Sequence, residues 1–244
     1  MFLNKCVRIL HIIILATATI NLYCYSQGKH PTTGRPIAPV MSVSGAPWLE
    51  RPERVAEERP DLAVKLLRLQ EGMTVADIGA GSGYFTERLA RVVGKSGRVY
   101  ATDLQPGMLR LLESRKRERK LDNVEVVPGK VSATGLPSGS VDLALMVDVY
   151  HEFSEPQAML KDLLRTLRVG GRLALLEYRK EDPDVPIIEE HKMTEKQAIA
   201  EVEAAGFRHL RTENSLPRQH LLLFEKPAPR GGVAIGEEAR PRVQ

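Results

Sequence analysis

Residues 75–85, VADIGAGSGYF, run from a short apolar stretch straight into three glycines at alternate positions, Gly79, Gly81 and Gly83. A buried strand that ends in a glycine-rich turn offers backbone N–H groups to a nucleotide, and the spacing of the turn separates nucleotide classes. A triphosphate site needs Lys followed by Ser or Thr after the glycines. Here Gly83 is followed by Tyr84 and Phe85, which excludes that reading. A dinucleotide turn sets its third glycine three residues after the second, so that a helix N-terminus faces the pyrophosphate. In this chain the interval is two. Asp77 stands two residues before the first glycine, where negative charge suits a cationic ligand better than a pyrophosphate.

Outward from the turn, the pattern alternates between strands and helices. Residues 60–69 space their apolar side chains as a helix, and TVADIG is a buried strand. A helix over YFTERLARVV stops at Gly94, and GRVYATD forms a second strand. The helix PGMLRLLESRKRERK, the strand NVEVVPG and the almost wholly apolar strand SVDLALMVDVY follow. EPQAMLKDLLRTLR predicts a helix closed by Gly170 and Gly171, and RLALLEYR a fifth strand. TEKQAIAEVEAAG predicts a helix capped by Thr194 with Gln197 three residues on. The last two strands, FRHLRTENSL and QHLLLFEK, are joined too tightly for a parallel crossover, so the final strand is expected to run antiparallel. The fold class is therefore α/β, a Rossmann-like doubly wound sheet of seven strands, mostly parallel, with one antiparallel strand near the C-terminus. Ligands of such sheets bind beyond the C-terminal strand ends at the switch point, which is where the glycine turn lies.

With these landmarks in order, DIGAGSG resembles the first motif of class I S-adenosylmethionine-dependent methyltransferases, an acid followed by Gly-x-Gly-x-Gly. The resemblance runs from about Asp61 to Lys226. It implies that Asp77 helps to hold the methionine end of S-adenosylmethionine, and that Gly79, Ala80, Gly81 and Gly83 let the backbone approach the adenosine. Asp103 closes the second strand about 20 residues on, where ribose hydroxyls would meet a carboxylate; dehydrogenases share that feature. LRVGGRLALLE resembles the family's turn before the fifth strand, with Val169 where Pro is common. One departure concerns adenine. Where many relatives carry Asp after the third strand, this chain has Lys130, so the base is expected to meet the Val131 backbone between Leu104 and Val131.

For the acceptor, the expected residues lie at the ends of strands four and five. DVYHEFSEP supplies Asp148 and His151, the latter as a general base, because an unperturbed imidazole titrates near neutrality. Asp148 is expected in the methionine or acceptor pocket, and Tyr178 at the end of strand five is a third catalytic candidate. His191 beside Glu189 and Glu190 invites a metal reading, but adjacent residues point apart and no second His stands at helical spacing. No metal site is expected. Trp48, Leu49, Arg51 and Arg54 could form a lid over the cleft.

The whole chain has 244 residues, 43% hydrophobic and 27% charged, enough for one α/β domain with a substantial core. The net charge of +4 demands no nucleic-acid partner. Its two cysteines, Cys6 and Cys24, precede the body, which excludes a disulfide, thiolate metal site or cysteine nucleophile there. Residues 1–26 read as a signal peptide or membrane anchor, 27–47 as a linker, 48–226 as the methyltransferase domain and 227–244 as a disordered tail. Export or membrane attachment through the leader is expected, facing the cytosol if it is uncleaved. The function expected is methyl transfer to a small-molecule acceptor. A nicotinamide-dependent oxidoreductase and a degenerate binding protein of the same fold are the alternatives.

Overall fold

The computed structural model of the protein describes residues 28–228. The expectations for the leader, most of the tail and both cysteines lie outside them. Among the described residues, no helix is long and apolar enough to cross a membrane.

The strands are β1 (Thr74–Ile78), β2 (Arg98–Asp103), β3 (Val124–Pro128), β4 (Val141–Val147), β5 (Leu167–Arg179), β6 (Lys192–Met193), β7 (Arg208–Glu213) and β8 (Gln219–Glu225). The helices are α1 (Ala46–Leu49), α2 (Arg54–Glu58), α3 (Pro60–Leu66), α4 (Tyr84–Val93), α5 (Pro106–Arg119), α6 (Pro156–Thr166) and α7 (Glu195–Ala204). The sheet order is β3-β2-β1-β4-β5-β8-β7, with the two-residue β6 paired to the end of β5. Seven strands thus form the main path, as the alternation predicts, and β6 adds an eighth. β8 runs antiparallel to both β5 and β7, because a short connection can only double back.

The apolar runs form the centre of this sheet. Leu143, Ala144, Leu145 and Met146 of β4 are buried on both faces, as a parallel strand between two helical layers requires. Phe85, Leu89 and Val93 of α4 pack with Leu112 of α5 on one face, and Met159, Leu160 and Leu163 of α6 with Val202 of α7 on the other. Each such side chain taken from water stabilises the fold by about 1.5–3 kcal/mol. Prolines start α3, α5 and α6 at Pro60, Pro106 and Pro156, where a missing N–H costs no helical bond. Thr194 and Gln197 form the expected reciprocal cap on α7.

Three boundaries differ from expectation. α3 stops at Leu66, and Arg68 turns into the left-handed region at φ 51°. β5 begins at Leu167, so Gly170 and Gly171 lie within a strand whose register shifts against β4, and α6 ends at Thr166. The largest difference is the segment read as a linker. Residues 28–47 lie against the domain: the Ala38 N–H donates to the His151 carbonyl at 3.0 Å. The Arg35 guanidinium donates to both carboxylate oxygens of Glu201 on α7 at 2.9–3.1 Å. Proline- and glycine-rich composition signals irregular backbone, and irregular backbone can still be packed.

Candidate active site

β1 leads outward to β2 and β3, and the chain then returns to β4 on the other side of β1. The C-terminal ends of β1 and β4 therefore diverge, and a cleft of about 610 Å³ opens there. The cleft wall carries every residue singled out for cofactor or catalysis except Gly83, which stands behind it at the start of α4 with φ 83°.

The first wall is the glycine turn. Gly79 and Gly81 adopt φ 67° and 57°, and a Cβ on Gly79 would lie 2.5 Å from Val149 Cγ2. Only glycine holds this turn so close to the β4 exit. The Ala80 N–H bonds the Thr102 carbonyl at 2.8 Å, and the Gly81 N–H donates to Asp103 Oδ2 at 3.0 Å. The other oxygen of Asp103 accepts the Gln105 N–H at 2.8 Å. Burial raises the Asp103 pKa, opposed by these backbone donors. Beyond Asp103, Leu104 and Val131 are 50% and 40% exposed on the cleft. Two apolar side chains left open at the end of β2 and after β3 suit a flat aromatic ligand between them. The Lys130 N–H is used in a bond to the Ala133 carbonyl at 2.8 Å.

Deeper in the cleft the charge is negative. Asp77 is buried, accepts the Thr86 hydroxyl at 2.6 Å, and has its pKa pushed up to about 6 by burial, the Thr86 bond opposing. Asp148 follows β4 with φ 48°, a strained conformation for a side chain bearing a Cβ. Its Oδ2 accepts Gln219 Nε2 at 2.7 Å, while its Oδ1 is buried without a partner. Burial, with Glu58 and Glu177 nearby, raises the Asp148 pKa well above the usual range. A ligand carrying positive charge would satisfy both carboxyls, so these residues fit S-adenosylmethionine: acid for its ammonium and sulfonium, Asp103 for its ribose, and an apolar slot for its base.

Tyr178 lies on the wall, but its hydroxyl donates to Glu58 Oε1 at 2.7 Å, and burial raises its pKa. Glu58 is also bound by Arg51 at 2.7 Å and Arg54 at 2.5 Å. The expected lid therefore exists as a fixed wall: Trp48, Leu49 and Arg54 line the cleft, and Arg51 stacks 3.7 Å over the Trp48 ring.

Three residues past Asp148, His151 is buried in the short 3-10 turn after β4. Its Nδ1 lies 2.6 Å from Glu177 Oε2, whose other oxygen accepts the Tyr150 N–H at 3.0 Å. A carboxylate there makes Nδ1 the protonated nitrogen, leaving Nε2 as an acceptor. Nε2 meets His191 Nδ1 at 3.0 Å. Glu152 completes this corner, its pKa pushed up to about 7 by burial, with His151 opposing. Burial lowers the His191 pKa. In sequence His191 stands beside Glu189 and Glu190; the fold brings it to His151, 40 residues away, and to Glu152. Glu58 and Gln219 reach the site from separate elements and no local pattern marks them, whereas Glu177 stands in the run EYR at the end of strand five, among the polar residues expected there.

A family model described as a methyltransferase domain matches residues 76–175. A solved S-adenosylmethionine-dependent methyltransferase of Aquifex aeolicus is 30% identical, with a TM-score of 0.72, over 76% of this chain and 98% of that one. A structure of S-adenosylmethionine-dependent methyltransferases from Methanosarcina mazei shares the fold at 20% identity and a TM-score of 0.53, over 68% of this chain and 98% of that one. The ubiquinone/menaquinone biosynthesis C-methyltransferase of Hahella chejuensis is 31% identical over 121 residues, 49% of this chain and 48% of its own length. This chain spans about half the length of the curated relatives it matches.

Proposed function

Because this chain belongs to the S-adenosylmethionine-dependent methyltransferases, we propose that it transfers a methyl group to a small, largely apolar acceptor bearing an ionisable hydroxyl. The observation that carries the reading is the polarity of the cleft: the acids Asp77 before the glycine turn and Asp148 after β4, and an imidazole–carboxylate corner beside them. Bound between Asp103 and Asp148, the cofactor would supply an electrophilic methyl on a sulfonium, released with the S–C bond pair staying on sulfur.

The residues of the chain then have separable tasks. Asp77 and Asp148 offset the positive charge of the methionine end. Asp103 takes the ribose hydroxyls while it ties the glycine turn to β2. Leu104 and Val131 enclose the base. Val40, Trp48 and Ile188, 52%, 41% and 66% exposed on the cleft rim, give an apolar entrance for the acceptor. His151, held by Glu177, accepts from His191 at Nε2, and this imidazole pair is the base for the acceptor's hydroxyl. Ionising such a hydroxyl makes its oxygen, or a ring carbon conjugated to it, nucleophilic, and alignment with the methyl does the rest. The carbon-methylating name of the Hahella chejuensis relative favours the ring carbon.

Calorimetry tests the reading directly. S-adenosylhomocysteine should bind with one site per chain, and Asp77→Ala should weaken it. Tight NADH binding with no S-adenosylhomocysteine binding would establish the oxidoreductase alternative; binding of neither would favour a degenerate binding protein. Export or membrane anchoring through residues 1–26 is proposed separately, and N-terminal sequencing of the fractionated protein tests it.

A further inference from the structure

The corner beyond β4 and β5 collects three donors that the proposed methyl transfer alone does not require together. His151 Nε2 and His191 Nδ1 are 3.0 Å apart, and Glu152 Oε1 is 3.8 Å from the same His191 nitrogen. One donor atom from each residue lies within 4.8 Å of the other two. Two nitrogens bound to one cation at about 2.1 Å each are about 3.0 Å apart at the right angle of an octahedral site and about 3.4 Å apart at the tetrahedral angle. The two imidazoles already have the 3.0 Å separation, and Glu152 Oε1, which also accepts the Met41 N–H at 3.3 Å, stands 3.8 Å from His191 Nδ1 as the third donor.

Two further features favour a cation over a simple imidazole pair. Glu177 orients His151 through Nδ1 and directs the Nε2 lone pair at the cluster, the arrangement that positions metal-bound imidazoles. The Glu152 side chain is only 10% exposed, and among the described residues no lysine or arginine forms an ion pair with it. A carboxylate withdrawn from water without a cation is costly, and a bound cation removes that cost.

The geometry points to a divalent-cation site formed by His151, Glu152 and His191 at the acceptor end of the cleft. Two imidazoles and one carboxylate suit zinc, manganese or iron(II), whereas magnesium and calcium prefer oxygen throughout. Three protein ligands leave positions open toward the cleft, and a hydroxyl or enol oxygen of the acceptor fits one of them. Coordination lowers the pKa of that oxygen, so its proton passes to water near neutral pH and no free imidazole is needed as a base. The cation site stands on the side chains alone; its use on the acceptor rests on the methyltransferase reading.

The test uses the untagged full chain, stripped of metal with a chelator and titrated with Zn²⁺ by calorimetry and with Co²⁺ by visible absorption. S-adenosylhomocysteine binding is measured in parallel. One saturable site per chain is expected, with Co²⁺ ligand-field bands. Glu152→Gln and His191→Gln should each weaken it at least tenfold, with unchanged far-ultraviolet circular dichroism. His191 is 22% exposed in its side chain, so its substitution tests the site without emptying a core position. Absence of saturable binding, or wild-type affinity in both variants, overturns the site. Cation binding without S-adenosylhomocysteine binding would instead sink the methyltransferase reading and leave the cation site standing.

Discussion

The carboxylate of Asp103 holds the backbone N–H of Gly81 at 3.0 Å, joining the end of β2 to the glycine turn after β1. One side chain thus fixes the shape of the turn and also presents oxygen to the cleft. Asp103→Ala loses both functions. A hydrogen bond to a charged group contributes about 1.5–3 kcal/mol, so S-adenosylhomocysteine affinity should fall by about 10–100-fold, read by calorimetry. Asp103→Asn retains an acceptor oxygen for Gly81 and should fall less. Equal loss in the two variants would show that charge alone matters there.

Asp77 predicts opposite pH trends for stability and for binding. Its folded pKa of about 6 lies above the ordinary 3.8, so the folded state holds a proton that the unfolded chain releases. Stability from this group is full below about pH 4 and is lost as pH rises through about 6. A cationic ligand needs the ionised form, so affinity should rise over the same interval. Thermal melts and calorimetry from pH 5 to 7.5 check both, with Asp77→Asn as reference. Subtracting its profile should remove the two trends; a wild-type profile parallel to the variant's would refute the assignment.

Gly79→Ala places a methyl 2.5 Å from Val149 Cγ2 at a φ of 67°. The left-handed conformation alone costs about 1–2 kcal/mol, and the overlap adds strain. A drop in melting temperature and loss of ligand binding are expected. Val149→Ala in the same chain should recover part of the loss, since it removes the colliding methyls but leaves the backbone cost.

The packing of residues 28–47 against the domain predicts acid sensitivity. His30, Arg35 and the Tyr150 hydroxyl meet near Glu201, all buried. Arg35→Ala leaves Glu201 without its strongest partner, a loss of about 3–5 kcal/mol for a buried pair, seen in urea unfolding. His30 has its pKa lowered to about 4 by burial and then by Arg35. A depressed histidine contributes stability that is present above pH 6.5 and is lost as pH falls toward 4. Between pH 6.5 and 5 the loss should be roughly 2 kcal/mol. His30→Gln should flatten that slope.

Local sequence was sufficient where a property depends on residues close in the chain. Alternating and helical spacing marked the strands and helices of the main path, three glycines and Asp77 marked the ligand turn, and a connection too short for a crossover set β8 antiparallel. Each is a matter of backbone geometry or of side-chain period, and both are written within ten or so consecutive residues. The tertiary structure decided what depends on burial and on distant pairs. It seated residues 28–47 against the domain through Arg35 and Glu201, 166 positions apart. It also occupied the Tyr178 hydroxyl with Glu58, left one oxygen of Asp148 buried and unpartnered, and brought His191 to His151 and Glu152. Charges and donors act through space, and only the folded sheet brings the ends of its strands to one cleft.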